Sequence, residues 1–241
     1  MNLLEVDALT KRFGGLTAVS RFNLTVNAGE IIGLIGPNGA GKTTVFHLLS
    51  GFHAPTEGTI HFKGVSVVGT KPHAICRRGL ARTFQIVQPF ANLSALDNAM
   101  VGAFNRTDDV DAARQRAIEV LDFVGLGARR DVLARQLTLP DRKRLEMARG
   151  LATRPELLLL DEVMAGLRPT EIDVMVAFLR ELNAASGITI LLIEHVMRAV
   201  MALAAEVVVV SYGEKIAEGT PNEIARNQAV LDVYLGEEEV A

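Results

Sequence analysis

The segment 36–44 contains the residues whose types and spacing point most directly to chemistry. Its glycines allow a tight turn with inward-facing N–H groups, and a helix opening near Lys42 would direct its positive dipole end to the same place. Such a loop fits a polyphosphate, with Lys42 reaching the β- and γ-phosphates and the Thr43 hydroxyl binding Mg²⁺. The loop residues are Gly36, Pro37, Asn38, Gly39, Ala40, Gly41, Lys42, Thr43 and Thr44. An apolar run precedes them, so the pattern predicts a nucleotide-binding P-loop and not a glycine-rich turn without a ligand.

Two carboxylates follow a second apolar run. Leu157 to Leu160 is unbroken, as is typical of a strand buried on both faces of a parallel sheet, and Asp161 and Glu162 come next. Ligands of open α/β sheets lie beyond the carboxyl ends of the strands. We therefore expect Asp161 to hold Mg²⁺, usually through water, and Glu162 to orient and polarise the attacking water. The alternative interpretation is an acidic helix start.

Three further side chains are candidates for the same site. Ile188 to Ile193 is another predicted buried strand, and it places His195 at the edge where a γ-phosphate would lie. Leu80 to Phe84 is predicted to be a strand that ends at Gln85, whose amide can face a ligand. Phe13 precedes the P-loop, and two roles remain open for its ring: stacking on a purine or simple packing.

Alternation and helical periodicity predict the elements around these residues. Leu3 to Phe13 and Val19 to Val26 favour an antiparallel pair with a glycine turn between them. A helix is predicted over Asp141 to Thr153, with its basic residues on a solvated face. A capping box at Thr220 predicts a last helix through Tyr234. His47, His53, His61 and His73 lack metal-ligand spacing and are expected at the surface.

Composition limits the function classes. The 241 residues fit one large α/β domain, or a core with a smaller insertion. The apolar runs are shorter than the roughly 20 residues of a membrane span, and the N-terminus lacks a secretory signal pattern. The chain is therefore expected in the cytoplasm. The single cysteine, Cys76, cannot form an internal disulfide and is expected to be an ordinary half-buried side chain and not a nucleophile. The net charge of −3 argues against a nonspecific nucleic-acid or anionic-lipid surface.

With these motifs in this order, nearly the whole chain resembles the nucleotide-binding subunit of an ABC transporter. The resemblance implies an α/β fold: a P-loop NTPase (RecA-like) mixed sheet with an N-terminal antiparallel β-subdomain and an inserted α-helical subdomain. It implies one domain over 1–241, with a catalytic core of 1–85 and 151–241 and a helical subdomain of 86–150. In that family Gln85 would link Mg²⁺ and the γ-phosphate to the membrane partner. His195 would be the switch histidine, and Phe13 would stack on adenine.

Four segments are similar to the ATP-binding subunits of branched-chain amino-acid importers. They are Phe13-Gly14-Gly15, Arg82-Thr83-Phe84-Gln85, Ile193-Glu194-His195 and Val230 to Gly236. The resemblance implies ATP and Mg²⁺ as cofactors and a place at the cytoplasmic face of the membrane. It implies transmembrane permease subunits and a second ATP-binding subunit as partners, a periplasmic or extracellular solute-binding protein as an indirect partner, and no nucleic acid. The alternatives are an importer for urea or amides, a soluble ABC ATPase acting on ribosomes or DNA, and a regulatory nucleotide-binding module.

The signature segment departs from the family pattern Leu-Ser-Gly-Gly-Gln. This chain has Leu137-Thr138-Leu139-Pro140-Asp141 there. Thr138 can replace the serine hydroxyl, but Pro140 has no N–H and Asp141 brings a negative charge towards a triphosphate. Arg168 also stands where the family has an aspartate. We therefore expect a weak clasp on the opposite subunit's nucleotide, and a heterodimer with a sibling whose signature is intact.

Overall fold

The computed structural model describes residues 2–85 and 88–238. The strands are β1 (Asn2–Phe13), β2 (Leu16–Asn27), β3 (Ile31–Ile35), β4 (Glu57–Phe62), β5 (Val65–Ser66), β6 (Leu80–Arg82), β7 (Leu157–Asp161), β8 (Thr189–Ile193), β9 (Glu206–Ser211) and β10 (Glu214–Gly219). The helices are α1 (Lys42–Leu49), α2 (Pro72–Arg78), α3 (Ala95–Ala103), α4 (Val110–Phe123), α5 (Leu139–Ala152), α6 (Pro169–Ser186), α7 (Met197–Leu203), α8 (Pro221–Ile224) and α9 (Gln228–Glu238).

The N-terminal strands form an antiparallel sheet in the order β2-β1-β4-β5. The turn after Phe13 uses Gly14 at φ +57°, and Phe13 pairs with Leu16 across it. Alternate side chains of β2, Phe22, Leu24 and Val26 among them, are buried on one face. The predicted antiparallel pair is present.

The second sheet has the order β10-β9-β3-β8-β7-β6, and β3 lies between two parallel neighbours, β8 and β9. Strand β7 is likewise parallel to β6 and β8. The carboxyl ends of β3, β6, β7 and β8 therefore meet at one edge. That edge receives the P-loop after β3, the carboxylates that follow Leu160, and the residues that follow β6 and β8.

This sheet separates two hydrophobic clusters. Leu158 and Leu160 of β7 pack into the cluster that contains the helices α3 to α6, while Leu157 and Leu159 pack with β1, β2 and α1. All four side chains are fully buried. Burial of each leucine stabilises the fold by about 2 kcal/mol, which explains why the run has no polar member.

Between Arg82 and Leu157, all the described regular elements are helices, and α3, α4 and α5 pack on one another. Three polar side chains cap these helices: Ser94, Asp109 and Thr138 accept hydrogen bonds from backbone N–H groups of the first turns. The predicted subdomain boundaries also include residues 1, 86–87 and 239–241, which lie outside the described residues. Within the described ranges, no helix combines the length and hydrophobicity that a membrane crossing requires.

Four local predictions are wrong. Strand β6 ends at Arg82, before Phe84, and the last helix is divided into α8 and α9. The basic residues of α5 are half-buried or buried, with Lys143 only 4% exposed, because α5 packs beneath the edge of the second sheet. His47 is also half-buried, between the rings of Phe52 and His53.

Candidate functional site

The P-loop joins β3 to α1 and depends on glycine at two close approaches. At Gly36, φ is +147°, and an added Cβ would lie 1.9 Å from the carbonyl oxygen of Val210. At Gly41, φ is +101°, and a Cβ would lie 2.3 Å from the oxygen of Ala18. No side chain fits at either place without moving backbone, so the sequence here is dictated by the path of the loop.

Hydrogen bonds from both flanks brace this loop. The N–H of Gly213, in the β9–β10 turn, donates to the oxygen of Ala40 (2.9 Å), and the N–H of Ser20 on β2 donates to the oxygen of Gly213 (2.8 Å). Lys42 is 6% exposed and donates from Nζ to the carbonyl oxygens of Gly36 (2.6 Å) and Pro37 (2.7 Å). The loop is thus held in shape by the chain itself, as preorganised phosphate binding requires.

Asp161 ends β7 in a fully buried ion pair. Its Oδ2 accepts a hydrogen bond from Arg82 at 2.8 Å, and the two side chains are 1% and 4% exposed. Its Oδ1 is buried without a hydrogen-bond partner in the described structure. Burial raises the pKa of Asp161 above its ordinary value, and the hydrogen bond from Arg82 opposes that rise.

Glu162 follows directly and lies between the other two predicted polar residues. Gln85 Nε2 donates to one carboxylate oxygen at 2.7 Å, and the N–H of the His195 ring at Nε2 lies 2.8 Å from the other. Glu162 has φ +50°, a backbone conformation that costs a side-chain-bearing residue about 1–3 kcal/mol and occurs preferentially at functional sites. The structure therefore brings Gln85, Glu162 and His195 together at one point.

Two buried charged residues, Lys143 and Glu194, support the backbone around Glu162. Lys143 Nζ donates to the carbonyl oxygen of Glu162 at 2.9 Å, and burial lowers the pKa of this lysine. Glu194 is 2% exposed and accepts the N–H of Met164 at 2.8 Å. Burial raises the pKa of Glu194 to about 7. Glu194 ties the segment after β8 to the segment after β7, so the position of His195 relative to Glu162 depends on it.

An open cleft of about 550 Å³ joins these parts. Lys42, Gln85, Glu162 and His195 line it together with Phe13, whose ring is 43% exposed. Further lining residues that the sequence did not single out are Leu16, Thr17, Ala18, Tyr212 and Gly213. They come from the start of β2 and from the β9–β10 turn, and only the folded chain shows that both reach the P-loop.

Comparison with known proteins decides the family. The family model described as "ABC transporter" matches residues 19–165, and one described as "Branched-chain amino acid ATP-binding cassette transporter" matches residues 214–240. The chain is 40% identical over 252 residues to the high-affinity branched-chain amino acid transport ATP-binding protein BraF of Pseudomonas aeruginosa, covering 98% of each chain. The chain belongs to the ABC transporter family. Escherichia coli LivG, a protein of the same description, is 41% identical over 250 residues, again with 98% of each chain covered.

Solved structures of ABC cassettes confirm the predicted fold. The ADP conformation of MJ1267, an ATP-binding cassette of an ABC transporter, superposes with a TM-score of 0.89 at 28% identity, covering 98% of this chain and 99% of that one. The cassette described above therefore has the α/β P-loop architecture of its family, and it is an ABC ATPase.

The cassette's residues fit ATP and Mg²⁺. Within the described chain, no group of three or more His, Cys, Asp or Glu side chains could hold a metal alone. Mg²⁺ bound with a nucleotide needs only one or two carboxylates, because phosphates and waters supply its other ligands. The buried, unpartnered Oδ1 of Asp161 suits a metal-bound water, and Thr43, Gln85 and Asp161 line one pocket, which shares Thr43 and Gln85 with the cleft.

The signature segment lies at the N-terminus of α5, and the structure shows where its polar groups go. Thr138 is the N-cap; its Oγ1 donates to Asp141 Oδ2 at 2.7 Å and accepts the N–H of Asp141. Arg129 also pairs with Asp141, which is 7% exposed. Contacts with Thr138 and Arg129 therefore compensate the charge of Asp141. At the start of α5, Pro140 has no N–H group, and the N–H of Asp141 is already donated to Thr138.

Sequence reasoning missed three residues of the cassette's site. Arg82 appeared only within a motif, although an arginine inside a predicted strand beside a buried strand needs an anionic partner. Lys143 was placed among solvated residues, and nothing in its spacing distinguishes it from Arg142 or Arg144. Glu194 was passed over in favour of His195, although a carboxylate at the end of a buried apolar strand carries the same signal as Asp161.

Proposed function

We propose that this cassette is the ATP-hydrolysing, energy-coupling subunit of an importer for branched-chain amino acids, acting at the cytoplasmic face of the membrane. The single observation that carries the proposal is the convergence of Gln85 and His195 on Glu162 beside a braced P-loop. The match of residues 214–240 to the branched-chain amino acid transporter model, and the descriptions of BraF and LivG, support amino acids over urea or amides as cargo.

Within this function, each side chain has a defined task. Lys42 and the P-loop N–H groups bind the phosphates of ATP, and Phe13 stacks on adenine. Thr43, Gln85 and Asp161 would hold Mg²⁺, which would neutralise charge on the phosphate oxygens. Glu162 orients and polarises the water that attacks the γ-phosphate, and His195 contacts that phosphate.

Both carboxylate oxygens of Glu162 are hydrogen-bonded within the chain. Each oxygen keeps a further lone pair, so the two contacts fix the direction of the carboxylate without preventing it from accepting a proton from water. Gln85 precedes residues 88–100, which would face a permease, and His195 would contact the γ-phosphate. The two partners of Glu162 therefore let permease docking and nucleotide binding each act on its orientation.

The test of catalysis is Glu162→Gln. This variant should retain ATP binding and lose about 10²–10⁴-fold in phosphate release, because the general base is removed. Glu181→Gln, on the exposed side of α6, is the matched control and should hydrolyse ATP like the unmodified protein. Near-normal turnover of Glu162→Gln would remove Glu162 from this role.

The test of transport is purification of the Glu162→Gln protein with Mg-ATP from detergent-solubilised native membranes. Transporter complexes with bound, unhydrolysed ATP should persist, and two polytopic permeases and a second ATPase should be recovered with the variant. The associated solute-binding protein can then be screened with leucine, isoleucine and valine against urea. Recovery only from the soluble fraction, with ribosomal or nucleic-acid partners, would contradict the transport function.

We further propose that the second ATPase is a sibling and not another copy of this chain. Few N–H groups remain at the start of α5 to clasp a γ-phosphate, since Pro140 has none and Asp141 donates to Thr138. The intact P-loop here would pair with the sibling's signature to form the hydrolytic site. Purified alone, the cassette should hydrolyse ATP slowly, and Pro140→Gly should raise the rate. Rapid, cooperative hydrolysis by the unmodified homodimer would refute the heterodimer.

A further inference from the structure

Arg82 occupies a position that the functions assigned above do not use. It is the last residue of β6, three residues before Gln85, and its side chain is 4% exposed. Its guanidinium carbon lies 5.7 Å from the ring centre of Phe46, 5.9 Å from that of Phe52 and 5.3 Å from that of Phe84. Three aromatic faces thus surround the cation at distances that favour cation–π attraction.

The cation is directed at one oxygen of the metal-site carboxylate. Arg82 donates to Oδ2 of Asp161, and the Oδ1 atom keeps no hydrogen bond within the described structure. A carboxylate held at one oxygen has its rotation about the Cβ–Cγ bond restricted. The other oxygen is then fixed relative to the backbone, in a residue that lines the same pocket as Thr43 and Gln85. Groups that orient a metal-binding side chain in this way set metal affinity without touching the metal.

Two of the rings that cover the cation reach the protein surface. Phe52 and Phe84 are 49% and 42% exposed, and their rings meet edge to face at 5.6 Å. Phe52 follows α1 and Phe84 directly precedes Gln85, so the pair bridges the P-loop helix and the segment after β6. A partner that covers these rings would contact the groups that hold Arg82.

We propose that Arg82 is a positioning residue for Mg²⁺, linking the carboxylate of Asp161 to the exposed Phe52–Phe84 pair. This inference rests on the proposed function, in which Asp161 holds the metal. Arg82 orients Asp161, and the two rings orient Arg82. Loss of a ring from this pair should therefore weaken the affinity of the cassette for Mg²⁺.

Binding without turnover tests the proposal. Affinity for the non-hydrolysable β,γ-imido analogue of ATP is measured by calorimetry in EDTA and over a Mg²⁺ series, together with the thermal midpoint of each variant. Arg82→Lys keeps the charge but loses the forked donor and the planar face. It should raise the Mg²⁺ concentration for half-maximal enhancement about 10-fold, with affinity in EDTA unchanged. Phe52→Leu should shift it in the same direction by a smaller factor.

Arg116→Lys is the matched control. Arg116 is half-buried, lies 3.6 Å from the carboxylate of Glu119 and donates to the carbonyl oxygen of Leu151 at 2.9 Å, and it does not line the pocket of Asp161. This variant should leave the Mg²⁺ dependence unchanged. Arg82→Met is unsuitable as the only variant, because it strands a buried carboxylate and endangers folding.

A merely structural arginine would give a different pattern. A lower thermal midpoint for Arg82→Lys with an unchanged Mg²⁺ dependence would overturn the proposal, and so would an equal shift of the Mg²⁺ dependence in Arg116→Lys. Asp161→Asn separates failure of the role of Arg82 from failure of the proposed metal role of Asp161. If it abolishes the Mg²⁺ effect while Arg82→Lys behaves normally, only the role of Arg82 fails. If Asp161→Asn also leaves the Mg²⁺ effect intact, the metal role of Asp161 in the proposed function fails as well.

Discussion

Glu194 should make the stability of this protein depend on pH near neutrality. The carboxyl is 2% exposed, and burial raises its pKa from 4.5 to about 7, against the hydrogen bond it accepts from Met164. The folded chain therefore holds a proton on Glu194 over a pH range in which the unfolded chain has lost it. Stability from this group is fully present below about pH 4.5 and is lost as the pH rises through about 7.

The magnitude follows from the size of the shift. Each unit corresponds to about 1.4 kcal/mol, so the full rise corresponds to roughly 3 kcal/mol of unfolding free energy. Glu194→Gln cannot titrate and keeps an oxygen for the N–H of Met164. The difference in unfolding free energy, variant minus unmodified protein, should therefore increase by roughly 3 kcal/mol between about pH 5 and pH 8.

Urea unfolding followed by circular dichroism at several pH values measures this difference. Glu181→Gln, on an exposed surface of α6, is the control and should run parallel to the unmodified protein at every pH. If the curves for Glu194→Gln and the unmodified protein are also parallel, the carboxyl does not retain its proton on folding, and the reasoning from its burial is refuted.

Two further predictions concern the P-loop. Lys42→Ala should weaken ATP binding at least 10-fold in a fluorescence titration, since it removes the cation that contacts the phosphates, whereas Lys63→Ala, which breaks only a surface ion pair with Glu156, should bind normally. Gly36→Ala should lower the unfolding free energy by clearly more than Gly64→Ala. Gly64 has φ +72° with no atom within 4 Å of a new Cβ, so Gly64→Ala should cost only about 1–2 kcal/mol of backbone strain. In Gly36→Ala the new Cβ also collides with the oxygen of Val210. Equal losses of unfolding free energy in chemical denaturation would contradict this collision.

The features predictable from sequence are those that depend on local pattern and sheet geometry. Leu157 to Leu160 had to be buried on both faces, and parallel strands bring their carboxyl ends to one edge, so the meeting of Glu162 with His195 could be anticipated. The glycine turn after Phe13 likewise identified the first hairpin. Each of these patterns is contained within a few consecutive residues, so it can be recognised without knowledge of the fold.

The features that could not be predicted depend on tertiary packing. The helix α3 is rich in alanine and has a polar residue, Asn98, buried at its centre, so its hydrophobic periodicity is weak. The side-chain amide of Asn98 is buried because it hydrogen-bonds to the backbone of the preceding loop, including that of Phe90. Lys143 lies in a basic run that resembles a solvated face, and only the carbonyl of Glu162 explains its burial. The break between α8 and α9 follows from a side-chain cap at Asn227, a residue type equally common within turns and helix ends.

The braces of the P-loop also bear on how the protein is made. The loop is synthesised early, at positions 36–44, but the N–H that holds Ala40 belongs to Gly213, and the same glycine accepts the N–H of Ser20. Contacts between residues so distant in sequence form late, because their loop closure is costly in entropy. The phosphate cradle should therefore be completed only after the β9–β10 turn has left the ribosome. A nascent cassette shorter than this would display its glycine-rich loop without the hydrogen bond that holds Ala40.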